Sequence, residues 1–343
     1  MGVCDLQPNA KDHCSSRLSF RSRSSYHSIC AAFCIAAAIL IPLPTAAQNK
    51  SAAGKDNGAV RVQMRNVVYH FTDSVAVHIE TLNGEVVPVG GNKFPVFDDA
   101  KSFNIDISSG EIAISTSSLA SVLNSYVFAR PGSPLTGISV AIENGRLKIK
   151  GKLHTKGDIP FEADGVLSPT PDGRIRLHSE KIKALHISVK GLMDLFNVQV
   201  ADLIKTGKVP GVATDHNDLI LDLEKILPPP HIEGKVTAIR FAGDTLVQTF
   251  GGPAGKSVKY LRLGNYMSYQ GNTLRFGKLT MSDADLILID MDPRDPFDFY
   301  LAHYREQIAA GYAKITPNFG LRVYVKDYNK LQRRRRARKT NKK

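Results

Sequence analysis

From Ala59 onward the dominant period of the sequence is two, and this limits what the chain can fold into. Successive side chains of a strand point to opposite faces, so such a chain has many faces that are apolar on one side and must cover them with a second layer. The clearest stretch runs from Ile138 to Leu177. Val140 and Ile142 follow Ile138, and Glu143-Asn144-Gly145 reads as a hairpin turn. In RLKIKGKLH, Leu147, Ile149 and Leu153 share one face and Arg146, Lys148, Lys150 and Lys152 the other. Ile159, Phe161 and Ala163 alternate next, Thr170-Pro171-Asp172-Gly173 is a turn, and Ile175 and Leu177 alternate with Arg174, Arg176 and His178. The pattern predicts an antiparallel meander with one dry and one basic face. VRVQMRNVVYHF and SVAVHIETLNGEVVPV read as a long hairpin or two edge-like strands, and IDISSGEIAIS, NDLILDL, GKVTAIRF, TLVQTF, LILIDMD and GLRVYVKDY as further strands.

Helical spacing is rare. Leu119, Val122, Leu123, Tyr126 and Val127 fall on one stripe, with Ser117 or Ser118 as cap. Leu192, Leu195, Phe196 and Leu203 form a second stripe that stops at Gly207, and a third helix is expected between Pro296 and Gly311. The expected class is mainly β with a few helices (α+β).

The N-terminus reads as an address. Arg17, Arg21 and Arg23 precede an apolar run of about 13 residues, short of the roughly 20 that span a bilayer, and Thr45-Ala46-Ala47 supplies small residues. The expectation is a signal peptide over 1–47 and a linker over 48–58, with an uncleaved anchor as the alternative. All four cysteines (Cys4, Cys14, Cys30, Cys34) lie in that segment, so the exported chain has no disulfide. The remaining expectation is a sheet domain over 59–250, an extension over 258–328 and a disordered polybasic tail over 329–343.

The net charge of +13 invites a nucleic-acid reading, but its placement removes it. KLQRRRRARKTNKK holds nine cations and no acid, while Gln48–Asn329 holds 32 cations against 30 acids. No nucleic-acid partner is expected. Arg333, Arg334, Arg335, Arg336, Arg338 and Lys339 are candidates for contact with an anionic membrane surface.

Catalytic motifs do not emerge. GGPAGKS lacks the first glycine of a phosphate loop, no GxSxG or HExxH occurs, and the histidines are scattered. Asp283, Asp285, Asp290, Asp292, Asp295 and Asp298 crowd together, but their spacing is not that of a calcium loop. They read more simply as a strand end at Asp290 and Asp292, a helix cap at Asp295 and a charge balance at Arg294. No catalytic residue, metal or cofactor is assigned. That leaves binding: Leu119, Val122, Leu123, Val127, Leu192, Leu195 and Phe196 either line an apolar cavity or form an ordinary core.

The block from ISTSSLASVLN through SVAIENGRLKIKGKLHTKGDIPFEADGVLSPTPDGRIRLHSEKI, followed by LILDLEKILPPPHIEGKVTAIRFAGDTLVQTFG, resembles the LmeA-like (DUF2993) exported phospholipid-binding family over roughly residues 112–250. AsmA-like envelope proteins share a similar cadence. The resemblance implies a highly curved antiparallel sheet wrapped around an amphipathic helix, of the tubular lipid-binding type. It implies a phospholipid or other acyl lipid as partner and the periplasm or cell envelope as location. The C-terminal β/helix extension departs from that pattern. A solid-cored envelope scaffold and a metal-dependent hydrolase built on Asp283–Asp298 are the alternatives.

Overall fold

Strand alternation governs the architecture. A computed structural model describes residues 58–154, 158–184, 209–252 and 263–333. The calls on the signal peptide, most of the linker, the Leu192–Leu203 stripe and GGPAGKS beyond Gly252 lie outside the described residues. The residues belong to one compact unit, Ala53–Lys343. The described strands are β1 (Val60–Thr72), β2 (Val75–Pro88), β3 (Phe103–Ser115), β4 (Leu135–Glu143), β5 (Arg146–His154), β6 (Asp158–Pro169), β7 (Ile175–Ala184), β8 (Val212–Asp215), β9 (Asp218–Leu221) and β10 (Ile232–Gly234). They continue with β11 (Val236–Ala242), β12 (Thr245–Gly251), β13 (Tyr266–Gly271), β14 (Leu274–Phe276), β15 (Leu279–Met281), β16 (Ala284–Asp290), β17 (Phe297–Tyr300), β18 (Tyr312–Ile315) and β19 (Leu321–Val325). The class is mainly β with few helices and large curved sheets.

The strands form two main sheets. The larger, of 11 strands, runs β11-β12-β3-β2-β1-β13-β16-β19-β18, with β10 beside β3 and β17 beside β1. It is mostly antiparallel, but β1/β17, β3/β10 and β16/β19 are parallel pairs. The six-stranded sheet, β4-β5-β6-β7-β9-β8, is the antiparallel meander expected from the sequence. Its Asn144-Gly145 turn has positive φ at both residues, as the two-residue hairpin requires. On its outer face the cations are partly neutralised: Lys150 pairs with Glu162 at 3.2 Å and Lys148 with Glu143.

β1 and β2 are not edge strands. β1 pairs with β2, β13 and β17, and its inward residues Val60, Val62 and Val67 are fully buried. Tight coiling beside it depends on Gly84, where a Cβ would stand 2.0 Å from the carbonyl oxygen of Asp106. The boundary expected between 250 and 258 does not divide the sheet: β13, β16, β17, β18 and β19 complete the sheet begun by β1.

Helices are short. In α1 (Thr116–Val122) the cap is Ser115, not Ser117 or Ser118; its Oγ accepts from the Ser118 N–H at 3.1 Å. A π-helical turn, Leu123–Val127, follows, closed by the Phe128 N–H donating to the Leu123 carbonyl at 2.8 Å. The wider turn rotates the expected stripe, so Tyr126 is exposed and Phe128 is buried. α2 (Leu223–Ile226) is a single turn. The third expected helix begins late. Phe297–Tyr300 is strand, buried along its whole length beside β1, and only then come a 3₁₀ turn (Leu301–His303) and α3 (Tyr304–Ala309). A parallel ladder and burial on both faces override the helical spacing there.

Residues 329–333, expected within the disordered tail, are ordered. Residues 328–333 form a helical turn. The Asn329 N–H donates to Asp298 Oδ2 at 2.7 Å, and Lys330 Nζ reaches Asp292, Asp295 and Asp327 at 2.7 to 2.9 Å.

Candidate functional site

The two sheets face each other across a cavity. From the large sheet, Val77, Ile112, Ile114, Leu246 and Phe250 enter it, all on the inward parity of β2, β3 and β12. From the meander come Leu147, Leu153, Phe161, Ile175, Leu177 and Leu221. α1, the π-helical turn and α2 add Leu119, Val122, Leu123, Leu223 and Ile226. The space open to the centre of a water-sized sphere is about 120 Å³, and all space free of atoms, the mouth included, is about 1520 Å³. One water needs roughly 10–15 Å³ on the first measure. Close-packed interiors contain few voids larger than one water, and this space exceeds that size.

α1 is fixed above the cavity by Asn124. Its Nδ2 donates to the carbonyls of Ala120 and Ile138 at 2.8 and 2.6 Å, and its Oδ1 accepts from the Ile138 N–H at 2.8 Å. Both backbone groups of Ile138 are thereby satisfied next to Gly137, where β4 slips register against β5.

Of the residues expected in a cavity wall, Leu119, Val122 and Leu123 are in it. Val127 is buried at 2 % exposure but lies outside the lining, and its place is taken by Phe128. Leu192, Leu195 and Phe196 lie outside the described residues. Of the surface cations, Arg333 is helical and exposed; Arg334, Arg335, Arg336, Arg338 and Lys339 lie outside the described residues.

Two wall residues escape a search for apolar stripes. Ser179 follows Ile175 and Leu177 on the inward parity of β7, and Gln248 stands between Leu246 and Phe250 on that of β12. They are 8 % and 6 % exposed, and Ser179 Oγ and Gln248 Oε1 find no hydrogen-bond partner among the described residues. An unmet buried polar group costs about 1–3 kcal/mol. The signal legible in the sequence is one polar residue interrupting each apolar row. Asp164 is the one charged residue among the described lining residues.

Asp290, Asp292, Asp295 and Asp298 are engaged in hydrogen bonds and ion pairs. Asp290 Oδ2 accepts from Asn265 Nδ2 and Oδ1 from the Asp292 N–H, both at 2.8 Å, and Asn265 Oδ1 accepts from Asn66 at 2.8 Å. Asp298 Oδ1 meets His70 Nε2 at 2.6 Å. Burial raises the Asp290 carboxyl to about 6, while hydrogen bonds from Arg294 and Lys330 hold Asp292 well below the usual carboxylate range. Asp295 caps no helix, because β17 follows it; it pairs with Lys330 instead. Among the described residues no group of three His, Cys, Asp or Glu side chains is placed to hold a metal, and no helix is long and apolar enough to cross a membrane. No family model, curated protein or solved structure matches the chain.

Proposed function

We propose that this is an exported cell-envelope protein that binds a phospholipid or other acyl lipid between its two sheets, without catalysis. The observation that carries the reading is the cavity: apolar on both walls and larger than a packing void by about tenfold on the single-water scale. An apolar chain entering such a space leaves water on every side, at about 0.8 kcal/mol per buried CH₂. The reading agrees with what the resemblance to LmeA-like proteins implies. The N-terminal order of cations, apolar run and small residues supports export. The C-terminal cations supply contact with anionic headgroups, at about 1 kcal/mol each near a charged surface.

The test is uptake of labelled phospholipid by the delipidated full chain, with mass spectrometry of lipid extracted from the protein as purified. Stoichiometric uptake and a co-purifying acyl lipid are expected. A delipidated, folded protein that takes up no label would overturn the reading.

A further inference from the structure

We propose that the cavity recognises a neutral hydroxyl carried on the apolar part of its ligand, through Ser179 on one wall and Gln248 on the other. The inference rests on the lipid-binding reading and refines it to a class of ligand. Both side chains are more than nine-tenths buried and line one cavity from opposite sheets. The backbone of each is already engaged. The Ser179 N–H donates to the Asn217 carbonyl at 2.9 Å, and Gln248 sits in register with Ile112 and Ile239. Their side-chain oxygens have no partner among the described residues. On these rows the neighbouring wall positions are Leu, Ile and Phe, so folding alone gives no reason for a hydroxyl and an amide there.

The chemistry of the missing partner follows from donors and acceptors. A plain acyl chain offers neither. An ester oxygen accepts only, and Gln248 Oε1 needs a donor. An anionic group at this depth meets Asp164 and, among the described lining residues, no cation. A hydroxyl donates and accepts, so it serves Ser179 and satisfies the Gln248 amide in either orientation of its oxygen and nitrogen. A hydroxylated acyl chain and a fused-ring alcohol carry the same group.

The test uses uncharged matched pairs on the delipidated full chain. Methyl stearate is compared with methyl hydroxystearates bearing the hydroxyl at successive chain positions, and cholestane with cholestanol. At least one hydroxylated probe is expected to bind about fivefold more tightly than its parent, the effect of one net hydrogen bond. That preference should vanish in the Ser179→Ala, Gln248→Met double variant, while affinity for the unhydroxylated parent is kept or improved. The double variant without ligand should melt no lower than wild type, because it removes two unmet polar groups; the single variants serve as a second measurement. Equal binding of all pairs by wild type, or a preference that survives in the double variant, would overturn the inference and assign the two side chains to bound water only. Binding of no probe at all would instead overturn the lipid-binding reading itself.

Discussion

One face of the large sheet carries two apolar regions that are closed in different ways. Beneath β1, β13 and β17 the cover is made of short elements, and the filling is aromatic. Phe97 meets Tyr269, Phe276 and Tyr304 edge to face at 4.9 to 5.5 Å, and Phe299 meets Phe297 at 5.6 Å. Beneath β2, β3 and β12 the cover is a second sheet, and the filling is mostly aliphatic side chains that leave a cavity between them. Two glutamines buried among the described residues mark the same difference. Gln307 is fully buried and makes three hydrogen bonds, accepting from the Tyr300 N–H and donating to the carbonyls of Asp298 and Lys326, each at 2.8 Å. Gln248 is nearly as buried, and its Oε1 has no partner among the described residues. Rings and short loops adapt to one another until space is filled. Two curved sheets are each held in shape by their ladders, and branched side chains leave part of the space between them unfilled.

The largest expected effect separates the regions by truncation. Phe299→Ala should cost about 3–5 kcal/mol in denaturant unfolding, since its ring is enclosed by Tyr69, Phe97 and Phe297. Leu177→Ala, in the cavity wall, should cost nearer the low end of the large-to-small range, about 2 kcal/mol, because one side of it already lacks contacts. Equal costs would erase the distinction.

Filling gives the opposite contrast. Ala284→Phe, in the packed half at 2 % exposure, should cost about 1–3 kcal/mol. Ala163→Phe, in the cavity wall, should leave stability within about 1 kcal/mol of wild type while labelled phospholipid uptake falls at least about tenfold. Asn124→Ala should cost about 2 kcal/mol, because both backbone groups of Ile138 lose their partner; thermal melting measures it.

The pH dependence probes the polar side of the packed half. Asp290 titrates near 6 in the folded chain against a usual 3.8, so between these values the folded state holds the extra proton. Its contribution to stability therefore falls as pH rises from about 4 to about 6 and is flat above. Asp290→Asn should make that slope shallower, read from unfolding at a series of pH values between about 4 and 6. Asp292 acts with the opposite sign: its contribution is present above 3.8 and is lost on acidification below that value. The smallest effect is expected outside both regions. Lys150→Ala should change stability by less than about 1 kcal/mol, because its pair with Glu162 is exposed on the meander.

Much of the meander was legible, because its register depends on neighbours in sequence: the Asn144-Gly145 turn and the Lys148/Ile149 alternation specify β4 to β6 locally. Part of the cavity wall was legible too, at Leu119, Val122 and Leu123. What failed depended on distant partners. The run from Phe297 to Tyr300 has helical spacing but becomes strand because Val67–His70 offers it a buried parallel ladder. Lys330 reads as the first cation of a tail until Asp292, Asp295 and Asp327 are brought around it. Ser179 and Gln248 are not legible as a site in the sequence, because a single polar residue in an apolar row carries little signal until both rows face one space.

The sequence by itself determined that this chain would be a stack of strands with dry inner faces, since alternation and turn residues act over two to four positions. Only the tertiary structure decided that β1 would be the centre of one large sheet, joining partners about two hundred residues away. It alone decided where the dry faces would meet and where they would stand apart. That outcome depends on the distance between opposing sheets relative to side-chain length, a quantity that no single strand contains.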